Sequence, residues 1–336
     1  MKNSLPIADC RLPVGSGEVA ERCSPIENRE SKIENAGGFS LIEILVVITL
    51  LSLIVVALMA VFNSTQTAFR SSVTQTDVLE GGRATMDVMT ADLRQMTPSL
   101  GYSNQPVAGP APSLTIMPPV NFYANTNAYN ATYTQPLVQS LAGSAQTRTN
   151  VLENFFILSR GNLNGSATWF GTGYAVNPAA TNDLNPLYRF YMTTNVEASP
   201  NPATLFNVFM LSVATGNFTN NWSHLLDGVV DLTVRAYDTN GVWMTNGYAV
   251  GYTNTPKNVL FLPSALGESG FYMLSNTLPA SVEIDLGVLE DRALQRAETW
   301  PNGSLLQSNY LAQQAGKVHM FRQRVKISNV DPSAYQ

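Results

Sequence analysis

One carboxylate stands where the chain is otherwise apolar. Glu43 lies in the stretch Gly38-Phe39-Ser40-Leu41-Ile42-Glu43, at the head of a run that continues to Phe62 with only Thr49 and Ser52 as further polar interruptions. An ionised carboxylate inside a hydrocarbon layer costs about 3 kcal/mol near the centre and less toward the interface. Two arrangements make such a charge tolerable: a cationic partner, or a place at headgroup level near the start of a helix. The remaining chemistry-bearing residues are sparse. There are two histidines, His224 and His319, and two cysteines, Cys10 and Cys23, both ahead of Phe39. Two thiols with no histidine nearby are too few for a structural zinc site. The chain has no Gly-x-Ser-x-Gly, His-Glu-x-x-His or phosphate-loop pattern. Asp227, Asp231 and Asp238 lack the tight alternation of a calcium loop. No catalytic residue, metal site or cofactor is expected.

The element that positions Glu43 is a helix. From Phe39 to Phe62 the apolar run makes a helix of roughly 36 Å, enough to cross a hydrocarbon core of about 30 Å with some tilt. It is too long for the apolar core of a secretory signal peptide, and Ala57-Leu58-Met59-Ala60 is a poor cleavage site. Arg22, Arg29 and Lys32 precede the run closely and only Arg70 follows closely, which places the preceding segment on the cytoplasmic side. The helix is expected to continue to Met96. Phe62, Phe69, Val73, Met86, Met89, Leu93 and Met96 recur at helical spacings, with Arg70, Asp77, Arg83 and Asp87 largely off that stripe. Gly81-Gly82 is a candidate kink. Asp92 and Arg94 are expected to be solvated or capping residues.

The stretch from Gly38 to Glu43, followed by its apolar run, resembles the processing site of type IV prepilins and pseudopilins: a glycine, an aromatic, three residues, a glutamate, then about twenty apolar residues. The resemblance implies that a prepilin peptidase cuts between Gly38 and Phe39 and that Phe39 becomes N-methylated. A glycine before the cut would give the protease bare backbone. The same resemblance implies that Glu43 faces the amino terminus of a neighbouring subunit when helices stack into a filament. The implied leader, residues 1–38, is long for the family and mixed in charge, with five basic and six acidic residues. The helix has no proline around Ala60, where many pilins carry one. The stretches 227–243 and 278–290 are similar to the soluble domain of the minor pseudopilins called component J of type II secretion. Together with 314–329, the second of these also resembles a prepilin-like protein of the Verrucomicrobia cassette sets, cassette protein C.

Residues 95–147 contain no Asp, Glu, Lys or Arg, and the span 97–150 reads as an uncharged loop or insertion with short strands at most. From Val151 to the end the pattern is β-rich. Strands are expected at Leu152–Leu158, Leu187–Thr193, Leu205–Val213, Val230–Tyr237 (followed by the turn pair Asn240-Gly241), Ser281–Leu289 and Val318–Ile327. Helices are expected at Glu290–Thr299 and Ser304–Gln314, with a stop at Gly316. Val282, Ile284, Leu286 and Val288 alternate inward, with Glu283 and Asp285 outward. Those two carboxylates are expected to pair across strands with Arg322 and Arg324, and His319 to be packed or at a rim.

The expected fold class is α+β: a long amino-terminal transmembrane and amphipathic helix (39–96) packed on an antiparallel, pilin-like β-sheet domain (151–336). A net charge of −5 gives the chain no bulk reason to bind nucleic acid. The resemblance implies a minor pseudopilin-like structural subunit, single-pass in the bacterial inner membrane, with its carboxy-terminal domain periplasmic. Its implied partners are the prepilin peptidase, other pseudopilins or pilins, and the inner-membrane assembly platform with its ATPase. A minor pilin of a type IV pilus, for adhesion or DNA uptake, is an alternative within the same machinery. A membrane-anchored enzyme is the alternative from a different class.

Overall fold

The computed structural model describes residues 40–101, 119–126, 137–141, 143, 145–177, 180, 183–197, 202–245, 258–262 and 268–335. The chain divides into two compact units, Met1–Asn63 and Ser64–Gln336.

One helix, α1 (Leu41–Arg94, 54 residues), supplies all the described structure of the first unit apart from Ser40 and continues into the second. Its polar interruptions are satisfied inside the helix. Thr49 Oγ1 donates to the Val46 carbonyl and Ser52 Oγ to the Ile48 carbonyl, both at 2.8 Å. Hydroxyls bonded this way leave no polar group needing water in an apolar environment. Every side chain from Leu41 to Phe62 is exposed.

The second unit is built on a seven-stranded antiparallel sheet of order β7-β6-β5-β4-β1-β10-β9. Its strands are β1 (Val120–Thr126), β4 (Glu153–Leu163), β5 (Ser166–Val176), β6 (Leu187–Asn195), β7 (Trp222–Leu226), β9 (Val259–Leu262) and β10 (Gly270–Leu274). A three-stranded antiparallel sheet has the order β12-β11-β8, from Val318–Lys326, Ser281–Leu289 and Val229–Tyr237. The short pair β2 (Leu137–Ser140) and β3 (Thr147–Asn150) stands apart. Helix α2 spans Ala203–Thr215, α3 Asp291–Ala297 and α4 Leu305–Ala312. A long helix with a large antiparallel sheet therefore makes this an α+β chain.

Two expectations need correction. Leu205–Val213 is helical, not extended. Leu205, Phe206, Phe209, Met210 and Val213 recur at helical spacing and are all buried on one side of α2, which ends at Gly216 in the left-handed conformation (φ 66°). The span 97–150 is more than a loop: β1 is an inner strand between β4 and β10, with Val120–Ala124 buried throughout. A strand covered on both faces shows no alternation, so its sequence carries no period-two signal. α1 runs through Gly81-Gly82 without a break in the helix. Gly82 is buried, and a Cβ there would overlap the Phe321 ring. The glycine is a notch for that ring.

The core explains the layering. Met86, Met89 and Leu93 of α1, with Met96 just beyond it, lie in one cluster with Phe122, Phe155, Ile157 and Tyr174 of the large sheet and with Leu232, Ile284, Leu286 and Val325 of the small one. Phe69 and Val73, from the same expected stripe, are exposed. On the other face of the large sheet, α2 packs Phe206 and Phe209 against Tyr123, Phe156 and Phe190. Gly171 and Gly173 of β5 admit it, since a Cβ at either would collide with Leu205 or the Phe209 ring. A third cluster joins Ala293 and Ala297 of α3 and Leu311 of α4 to Leu289 and Val230.

Candidate functional site

Gly38 and Phe39, with the rest of the expected leader, lie outside the described residues. Glu43 sits in the first turn of α1, and its carboxylate turns back on the chain. Glu43 Oε2 accepts from the Ser40 backbone N–H at 3.2 Å and from Ser40 Oγ at 3.3 Å, while the Glu43 N–H donates to Ser40 Oγ at 3.3 Å. This reciprocal pair is a capping box, which satisfies amide donors that a helix start otherwise leaves open. The charge also lies at the end of α1 where the helix dipole favours an anion. Glu43 thus has a local role in starting the helix. The sequence signal for it, Ser-x-x-Glu ahead of an apolar run, stands at 40–43. Behind Glu43 the apolar part of α1 is long enough to cross a membrane.

At the other end of the helix Asp92 is neither solvated nor a cap. Its carboxylate takes two hydrogen bonds from Arg189 on β6, from Nε at 2.9 Å and from Nη2 at 3.0 Å, and a third from the Tyr174 hydroxyl on β5. Burial first, and then the Asp92 charge, hold the Tyr174 hydroxyl well above its ordinary pKa. This clamp fixes the last turn of α1 to the large sheet. Arg94 is exposed, as expected.

The small sheet carries a charged cluster. Asp285 lies opposite Arg322 and takes both its hydrogen bonds, at 2.5 and 2.6 Å, so this expected cross-strand pair is present. Glu283 lies opposite Arg324, yet its nearest guanidinium groups are Arg235 at 3.7 Å and Arg322 at 3.9 Å. Arg324 stacks over Tyr237 at 3.7 Å and donates to Ser281 Oγ. Asp285 is buried, not outward, and Arg235 bridges it to Glu268. Of the basic face, Arg322 finds its ionic partners within the chain, and His319, on the face of Phe321, is half-buried.

Two further carboxylates join the sheets. Asp231 on β8 accepts the Val151 N–H at 2.9 Å, and Glu153 on β4 accepts the Val234 N–H at 2.6 Å, a reciprocal staple around the Leu152–Leu232 bridge. Burial pushes Asp231 up to about 7, with Asp285 and Glu268 adding to the shift and Arg148 opposing it. Burial likewise raises Glu153 well above the usual carboxylate range. Asp238 caps the Asn240-Gly241 turn by accepting the Asn240 and Val242 N–H groups at 2.9 and 2.7 Å. Among the described residues, no three His, Cys, Asp or Glu side chains converge as a metal site. His224, exposed on the edge strand β7, pairs with Asp227 just beyond it at 2.7 Å.

Comparison with protein families, curated proteins and solved structures yields no match to this chain.

Proposed function

We propose that this chain is a minor pseudopilin-like structural subunit, cleaved after Gly38 and N-methylated at Phe39, that assembles into a type II secretion pseudopilus. The observation that carries the reading is the single helix α1. It begins at the Ser40–Glu43 box, holds an exposed apolar half long enough for a membrane, and ends with its methionines inside a β-sheet core. A helix that is apolar on every side at one end and amphipathic at the other suits a subunit that waits in the bilayer and then packs against similar helices. In this reading the leader is cytoplasmic and the sheet domain periplasmic. A cytoplasmic ATPase and a platform protein do the work, and this chain contributes shape and contacts instead of catalysis.

The test is mass spectrometry of the amino terminus from isolated membranes, with and without the prepilin peptidase. An N-methylated Phe39 that disappears without the peptidase is the expected result. An intact leader, or a terminus near Ala60, would overturn the proposal.

A further inference from the structure

Beyond the end of α1 the large sheet keeps a strip on the face that the helix covers, open at Tyr191 and nearly closed at Ser159 and Thr172, which are 8% and 5% exposed. That strip is the floor of a groove of about 680 Å³, within the size range of small-molecule sites. Register identifies the floor. Thr172 stands opposite Tyr191, Tyr174 opposite Arg189, and Phe170 opposite Ser159. Alternation then puts Ser159, Phe170, Thr172 and Tyr191 on the α1 side. Gln95 and Thr97, just past the helix, form one wall. Asn329, whose side-chain amide donates to the Met96 carbonyl at 2.9 Å, completes it.

The lining decides the class of ligand. Phe170 and Tyr191 stand with ring centroids 6.2 Å apart, and Tyr191 is 42% exposed. Apart from the Arg189 guanidinium, which lies over the Tyr191 ring at 5.3 Å from its centroid, the groups around these rings are hydroxyls and amides, which both donate and accept. The Arg189 charge is offset by Asp92, which occupies two of its donors. The Arg160 guanidinium lies over Trp169, its register partner, on the opposite face. A groove without net charge has no Coulombic hold on an anion or a cation. Hydroxyls and amides on the floor and walls do not suit an aliphatic ligand. Strand addition by a peptide is closed off, since β5 is paired on both sides. Rings among neutral hydrogen-bonding groups match a molecule with C–H faces and hydroxyl edges.

We propose that this groove binds a short neutral oligosaccharide, stacked on Phe170 and Tyr191 and hydrogen-bonded by Thr172, Gln95 and Asn329. The site is independent of the assembly role and stands or falls separately from it.

The test uses the full chain in a zwitterionic detergent without a sugar headgroup, screened on an array of neutral and uronic-acid oligosaccharides. Binding is then titrated with the neutral sugar that gives the strongest signal. Tyr191→Ala should weaken binding about tenfold or more. Thr172→Val, which keeps the shape and removes the hydroxyl, should weaken it several-fold. Leu211→Ala, on α2 at the opposite face, should leave it unchanged. Near-UV circular dichroism checks folding, and Thr172→Val carries the test if Tyr191→Ala unfolds. Failure of the folded wild-type chain to bind any neutral oligosaccharide overturns the proposal. So does a preference for acidic sugars, or undiminished binding in the folded variants.

Discussion

Asp92 and Arg189 meet through two parallel hydrogen bonds, at 2.9 and 3.0 Å, between the last turn of α1 and strand β6. The carboxylate is 12% and the guanidinium 26% exposed, so the pair is screened less than a surface bridge. Removing one partner leaves the other partly buried and uncompensated. Asp92→Ala and Arg189→Ala are each expected to cost about 2 kcal/mol. The double variant should cost clearly less than their sum. Urea unfolding of the four proteins checks this, and strict additivity would mean that the contact is not energetically coupled.

Gly82 sets two effects against each other. Helix propensity alone makes Gly→Ala stabilising by about 1 kcal/mol. The Phe321 ring occupies the space that a Cβ would need, and overpacking a tight site costs about 1–3 kcal/mol. Gly82→Ala is therefore expected to destabilise, and Phe321→Leu in the same chain to restore much of the loss. Gly81→Ala meets only the flexible tip of Leu226, at 3.3 Å, and should be close to neutral. If both alanines stabilise, propensity governs and the notch has no consequence.

Buried Asp231 makes stability depend on pH in a definite direction. Its folded pKa, about 7, lies above the ordinary 3.8, so the folded chain holds the proton more tightly than the unfolded one. The associated stability is complete below about pH 4 and is lost as pH rises through 7, a change of about 2–4 kcal/mol. Asp231→Asn keeps an acceptor for the Val151 N–H without a titrating group. The wild-type chain should lose stability between pH 5 and pH 8 relative to this variant. Parallel melting temperatures for the two proteins across that range would refute the assignment.

Glu43 and Ser40 can be told apart by substitution. Glu43→Gln preserves the reciprocal cap, since Gln serves in the same box, but removes the charge. Ser40→Ala removes the hydroxyl and leaves the charge, at a cost of about 1 kcal/mol in helix capping. If the charge acts between subunits, Glu43→Gln should abolish recovery of the chain in sheared filaments while Ser40→Ala is recovered normally. Loss in both variants, or in Ser40→Ala alone, would make the cap the whole role of Glu43.

The parts of the fold legible in the sequence are those whose two faces differ. Strand β11 has the bounds that its alternation predicts, Ser281–Leu289, because Val282, Ile284, Leu286 and Val288 all enter one cluster. Strand β1 is hidden because it is buried on both faces, and helix α2 because a short aromatic-rich apolar run fits a strand as well as a helix. In the site, Glu43 is conspicuous as a charge, and its three-residue link to Ser40 is local enough to be read. The Asp92–Arg189 clamp is not. Its partners lie 97 positions apart, and only the pairing of β6 with β5 brings Arg189 to the helix. The groove beside it is equally silent, because its ring and hydroxyl groups come from separate strands.

The first and last elements of the sheet domain meet in its centre. Gly82 of α1 receives Phe321 of β12, and Met86 and Met89 share a cluster with Val325 and Ile327. A ribosome makes these segments in order, so the helix leaves the exit tunnel long before the strand that covers it. Strands made earlier can cover part of the methionine face of α1, but the Gly82 notch stays unfilled until β12 is made. The domain therefore closes only when its final strand arrives, a contact of high sequence separation.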